Sequence, residues 1–144
     1  MKKLLLILIA TLSLNLSNAQ KVTKFTELNT GISMGIAPLF PGVSFLMGES
    51  IKYNSGVILE YEGGIAFPSI FTGKAGIGFS LDEKFDLTAG VRPWPTSTYL
   101  QLQSHRPDKL RDILFTVETM NWGSTSFYQS AMFTVGWRYN IVKQ

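Results

Sequence analysis

The chain has 144 residues, with 13 Lys and Arg, 10 Asp and Glu, one His and no Cys. The lack of Cys excludes disulfides, Fe–S clusters and thiol catalysis. No Lys/Arg cluster, zinc-finger spacing or RNA-binding aromatic motif points to nucleic acid. Charged residues make up 16% of the chain, against about 25% in ordinary soluble domains. That shortage raises the question of whether part of the surface faces something other than water.

Positions 1–19 read as a secretory signal. Lys2 and Lys3 give a positive start, an apolar run follows, and Ser17 and Ala19 supply small residues before a cut that makes Gln20 the new N-terminus. The apolar run is shorter than the roughly 20 residues a spanning helix needs. Cleavage leaves one domain, 20–144, with 125 residues (144 less 19). Two lysines leave with the leader, so 11 basic and 10 acidic side chains remain, a net charge of +1.

After a polar lead at 20–29, alternation begins. Ile32, Met34 and Ile36 share one face of a strand, with Gly31, Ser33 and Gly35 opposite, because successive side chains point to opposite faces. Pro38 to Pro41 break the run. The second strand sets Val43, Phe45, Met47, Ile51 and Tyr53 against Ser44, Leu46, Gly48, Ser50 and Lys52, with Glu49 out of place among the apolar residues. Asn54-Ser55-Gly56 is a three-residue hairpin loop with Gly where a positive φ is needed. The third strand sets Val57, Leu59, Tyr61, Ile65 and Phe67 against Ile58, Glu60, Glu62, Gly64 and Ala66.

Pro68-Ser69 turns the chain into a fourth strand, with Ala75, Ile77, Phe79 and Leu81 against Thr72, Lys74, Gly76, Gly78 and Ser80. A charged turn, Asp82-Glu83-Lys84, leads to a fifth, with Phe85, Leu87, Ala89 and Val91 against Asp86, Thr88, Gly90 and Arg92. Pro93 and Pro95 are expected to end it, since neither can donate to a ladder. A sixth strand sets Leu100 and Leu102 against Tyr99, Gln101 and Gln103. A polar loop at 104–111 precedes a seventh, Ile113, Phe115 and Val117 against Leu114, Thr116 and Glu118. The eighth sets Phe133, Val135, Trp137, Tyr139 and Ile141 against Met132, Thr134, Gly136, Arg138 and Asn140.

Alternation of this kind fits a soluble barrel with its apolar face inward or a membrane barrel with that face against lipid. The polar face decides between them. It is dominated by glycine and small residues, which suit the crowded interior of a narrow eight-stranded barrel. On an exposed face so many glycines would weaken the strands without gain. The same face carries Lys52, Lys74, Arg92 and Arg138 against Glu60, Glu62, Asp86 and Glu118, the balance a closed interior network needs. The expected fold is therefore all-β, an antiparallel up-and-down barrel of about eight strands with its apolar face to lipid. The clearest strands are long enough to cross a bilayer at a tilt. Trp94, Trp122, Phe127 and Tyr128 lie near strand ends, where an aromatic girdle would sit.

Over 31–142 the pattern resembles the small eight-stranded outer-membrane barrels of the OmpA/OmpX type. The likeness is most specific in F-T-V-G-W-R-Y-N-I, with Phe133, Val135, Trp137, Tyr139 and Ile141 in the positions of the C-terminal assembly signal. Ile141 stands where the family usually has a terminal Phe, and Val142-Lys143-Gln144 follow it. The resemblance implies an outer-membrane location in a Gram-negative-type cell, outer-membrane lipid and the barrel-assembly machinery as partners, and surface loops that could meet a ligand. It puts the 104–111 loop on the periplasmic side, where turns are usually short. An architecture does not carry an activity.

Two alternatives share the pattern: a secreted or periplasmic lipocalin-like barrel binding an apolar ligand, and an outer-membrane lipid-modifying enzyme. Ser104, His105 and Asp108 contain the residue types of a nucleophilic triad, but neighbours in sequence do not converge as a triad must. His105 reads as a solvated loop residue. Glu60 and Glu62 could do acid–base work, but pairing with Lys52 and Lys74 on the neighbouring strands is the expected role. No helix follows Gly76, Gly78 and Gly90, so they form no phosphate loop. No catalytic residue, cofactor or metal is expected, with one His and no Cys.

Overall fold

The computed structural model describes residues 19–35, 40–94, 96–106, 111–119 and 129–141. They form eight strands: β1 (Ala19–Gly35), β2 (Phe40–Tyr53), β3 (Val57–Phe67), β4 (Ile70–Ser80), β5 (Phe85–Trp94), β6 (Ser97–Ser104), β7 (Arg111–Thr119) and β8 (Gln129–Ile141). Each pairs antiparallel with the next, and β8 pairs with β1, so the sheet closes into an up-and-down barrel. The expected signal peptide lies almost wholly outside the described residues, as do Trp122, Phe127 and Tyr128.

The turns that set the register follow from local chemistry. Gly56 has φ 81°, and its N–H donates to the Tyr53 carbonyl at 3.0 Å. That turn pairs Lys52 with Ile58, two residues of the same parity, so both strands keep their polar face on one side. At the β4–β5 turn the Asp82 Oδ1 accepts from the backbone N–H groups of Lys84 and Phe85, both at 2.7 Å, an Asx turn. These two turns, His105 and the β1 start share one end of the barrel, here the termini end.

Three sequence expectations about the strands need correction. The stretch 20–29 is no polar lead but more than half of β1, paired with both β2 and β8. Pro93 does not end β5, which runs on to Trp94; the register shift between Gly73 and Ala75 on the partner strand accommodates it, and a bulge is where a strand tolerates a residue with no N–H. Tyr53, expected with the outer apolar residues, is buried (8% exposed) at the end of β2.

The barrel is apolar outside and polar inside. Among the described residues 24 large apolar side chains are exposed and six are buried. Phe45, Phe71, Phe79, Leu100 and Phe115 lie outward, while Glu27, Lys74, Glu118 and Arg138 lie inward at 3% exposure or less. Glycines make room for the few large inward rings. A Cβ on Gly48 would sit 2.8 Å from Phe25 Cζ, and one on Gly90 would sit 2.8 Å from Tyr99 Cε1 and 2.6 Å from the Gly76 Cα. Gly90→Val should therefore cost on the order of 1–3 kcal/mol by overpacking. Gly42→Ala, whose Cβ would meet nothing closer than the Phe67 carbonyl at 3.6 Å, should stay within about 0.5 kcal/mol. Urea unfolding in detergent measures both.

Candidate functional site

Period-2 alternation and the register of eight strands bring the inward charges into three layers. Nearest the end opposite the termini, Arg92 grips Glu118 with two N–H groups, Nε at 2.8 Å and Nη2 at 2.5 Å. Ser97 Oγ donates to the same carboxylate at 3.1 Å, and Arg92 Nη1 reaches Thr72, whose hydroxyl donates to the Trp94 carbonyl at 3.0 Å. A bidentate guanidinium–carboxylate pair is among the stronger charge-assisted contacts.

The middle layer is built on Arg138. Its Nε and Nη2 donate to Glu27 Oε2 at 2.9 and 2.8 Å, and its Nη1 to Glu60 Oε1 at 2.6 Å and Gln103 Oε1 at 2.7 Å. The guanidinium lies 3.8 Å from the Phe25 ring centroid. Glu27 also faces Lys74 at 3.6 Å, and Lys74 meets Glu62 at 3.0 Å. Asn29 Nδ2 donates to Glu27 Oε1 at 2.8 Å, so one carboxylate serves two cations and an amide.

The third layer closes the termini end. His105 Nδ1 lies 3.0 Å from Asp112 Oδ2, its Nε2 lies 2.7 Å from Asp86 Oδ2, and its backbone N–H donates to the Lys84 carbonyl at 2.7 Å. Lys52 donates to Ser80 Oγ at 2.6 Å and lies 3.5 Å from Asp86. Gln103 and Asn140 each donate to Asp112 Oδ2 at 2.9 Å.

All eight residues expected inside, Lys52, Glu60, Glu62, Lys74, Asp86, Arg92, Glu118 and Arg138, thus have ion partners, but some pairings differ from expectation. Glu60 goes to Arg138 rather than Lys52, and Lys52 to Asp86. Glu27 was missed because it lies in the stretch read as a polar lead, and Asp112 because it lies one residue before the stretch read as a strand. Running the alternation back from Ile32 would have put Glu27 inside, and one step back from Leu114 would have added Asp112. His105 is no solvated loop residue: its side chain is 26% exposed and both ring nitrogens are taken by carboxylates. That leaves no ring nitrogen to activate Ser104. Asp108 lies outside the described residues.

On the outer face Phe133, Val135, Tyr139 and Ile141 are exposed, with Trp137 half-buried on the same face of β8. Glu49, the misfit in the apolar pattern, also lies outward, 3.2 Å from Lys24 and hydrogen-bonded by the Tyr61 hydroxyl.

Removing Arg138 would strand Glu27 and Glu60 in a closed interior, so Arg138→Met should cost about 3–5 kcal/mol. The two inner layers hold four carboxylates, Glu27, Glu60, Glu62 and Glu118, against three cations, and Glu62 Oε2 is buried without a hydrogen bond. Glu62→Gln should consequently stay within about 1 kcal/mol of wild type. Denaturant unfolding in detergent separates the two outcomes.

The hydrogen bonds to Asp112 and then Asp86 outweigh burial and push the His105 pKa from 6.5 up to about 9. The folded barrel holds this proton more tightly than the unfolded chain. The His105 contribution is therefore complete below 6.5 and lost as pH rises through about 9. His105→Gln should flatten the stability–pH curve across that window, as read by thermal unfolding.

No protein-family model matches the chain, and no curated protein matches it by sequence. Among solved structures, a barrel from a study titled "De novo design of transmembrane beta-barrels" is similar, with a TM-score of 0.53 and 12% identity over 83% of this chain and 95% of the designed one. The likeness is one of fold: this chain is a small closed eight-stranded barrel similar to a designed transmembrane barrel.

Proposed function

We propose that the protein is a small outer-membrane β-barrel of the OmpA/OmpX type, with a structural or surface-interaction role and no catalysis. The observation that carries this is the inverted surface, 24 exposed large apolar side chains among the described residues around an interior of buried ion pairs. A contiguous apolar face of that extent is costly in water and is what lipid accepts. A lipocalin-like carrier requires the reverse, an apolar lumen; here the lumen is occupied by Arg138, Lys74 and Arg92 with their carboxylates.

On this reading the leader at 1–19 exports the chain, and the ridge from Phe133 to Ile141 is recognised by the barrel-assembly machinery. The termini end faces the periplasm. Loops at the outer rim meet any surface partner. The interior is filled, as eight strands leave room mainly for side chains.

Cell fractionation with gel mobility of boiled and unboiled samples tests the proposal. The protein should partition with outer membranes, need detergent for extraction and shift in mobility on boiling. A detergent-free soluble fraction with no shift refutes the membrane reading. Replacing Tyr139 and Ile141 with Asp should abolish assembly and leave unfolded chain in the periplasm.

A further inference from the structure

We infer that the outer wall over β1–β3 docks a second copy of this chain within the bilayer, through Lys24 and Glu49. The inference rests on the membrane reading above. Among the described residues, Lys24 and Glu49 are the two charged side chains on the outer face away from strand ends. With Tyr61 they stand side by side as Cα partners on three successive strands. On the same face Val22, Ile51 and Leu59 lie toward the termini end, and Leu28, Phe45 and Ile65 toward the other. The three polar groups are therefore an island inside the apolar band.

The island is neutral in sum but incompletely paired. Glu49 Oε1 lies 3.2 Å from the Lys24 ammonium, and Glu49 Oε2 accepts from the Tyr61 hydroxyl. An ammonium has three N–H donors. Lys24, with its side chain 55% exposed, meets Glu49 alone among the described residues, so two donors face outward. An acyl chain offers them no acceptor, and an unsatisfied polar group is costly in hydrocarbon.

A second copy supplies the acceptors by symmetry. Two barrels inserted in the same sense are related by a two-fold axis along the bilayer normal, which keeps every atom at its own depth. A cation then meets an anion only where the chain carries one at that depth. Lys24 and Glu49 meet this condition as ladder partners. At a strand spacing of about 4.8 Å and a tilt of roughly 40°, their Cα atoms differ in depth by only about 3 Å. The rotation sets Lys24 of each copy beside Glu49 of the other, so the patch is complementary to itself. The wall is also low there. In the adjoining row Gly63 pairs with Gly73 on β4, and a Cβ on Gly63 would meet nothing closer than the Thr72 carbonyl at 3.8 Å. Small residues let two walls approach closely.

The chain has no Cys, so a single introduced one reports contact between copies. The test oxidises Thr26→Cys, next to Lys24 on the outer face of β1, and as control Ala89→Cys on the outer face of β5. Both are reconstituted in phosphatidylcholine liposomes at high lipid excess, with folding checked by boiled and unboiled gel mobility. Thr26→Cys should give a disulfide-linked dimer, and Ala89→Cys none beyond chance collision. Added to Thr26→Cys, Lys24→Met or Gly63→Leu should each lower the dimer yield about tenfold. The first removes both ion pairs between copies, and the second fills the low wall. Exchanging the charges, Lys24→Glu with Glu49→Lys, should restore the dimer, because each copy again carries both signs near one depth. If Lys24→Met does not fold, Gly63→Leu carries the test, since its Cβ position is open. Equal yields from the two Cys variants, or a dimer that survives either substitution, overturn the inference. Protein that floats with the liposomes yet stays monomeric, as when Lys24 meets a lipid headgroup instead, overturns it alone. Protein that does not float with the lipid refutes the membrane reading as well.

Discussion

The structure depends on one buried guanidinium. Arg138 on β8 and Glu27 on β1 are Cα partners in the ladder that closes the barrel, and their side chains are ion-paired at 2.8 Å across that seam. Positions 111 apart in sequence are thereby fixed in register. A slip of one residue would turn Arg138 to the apolar outer face and leave Glu27 without its strongest partner, because the side-chain period is two. Removing two charges from water is expensive, and such a pair is weak support for stability in itself. Its larger effect here is to make every alternative closure of β1 against β8 worse than the native one.

That pair is possible only because the adjoining strand β2 yields space. Phe25 lies under the Arg138 guanidinium, and the Gly48 backbone accommodates the ring where any Cβ would collide with it. Tyr99 repeats the arrangement, with Gly76 and Gly90 beneath the ring and the Lys74 ammonium 5.5 Å from its centroid. A glycine gives room to a ring, and the ring gives a cation a partly apolar, electron-rich surface. The glycines on the inner face are therefore linked to the charges and not merely to a narrow lumen.

The periodicity made the strands legible because a period of two needs only local sequence. It put Lys74, Arg92, Glu118 and Arg138 on the inner face, where they lie. It was blind to partners across the lumen: nothing local tells Glu60 that Arg138, 78 residues away, lies nearer than Lys52. It also failed where binary pattern blurs. In β1, Phe25 points in while Lys24 and Thr26 lie on the outer side, so hydrophobicity alone hid the strand and with it Glu27. Strand length was the overlooked signal, since a strand beginning at Gly31 is too short to cross a bilayer. Pro93 misled for a different reason: a bulge is a two-strand property and cannot be read from one strand.

Filling the interior constrains where function can lie. The layers around Arg92, Arg138 and His105 succeed one another from one end of the lumen to the other, each tied to strands on different sides of the barrel. A conducting path would have to part at least one set of these buried pairs, leaving charges without partners at several kcal/mol each. The lumen and its contents are thus committed to holding shape. Chemistry that must meet a soluble molecule is left to the rims, where backbone leaves the ladder and side chains regain contact with solvent. The termini end is drawn tight by Gly56, Asp82 and His105, whose backbone N–H ties the start of the β6–β7 connection to the Lys84 carbonyl.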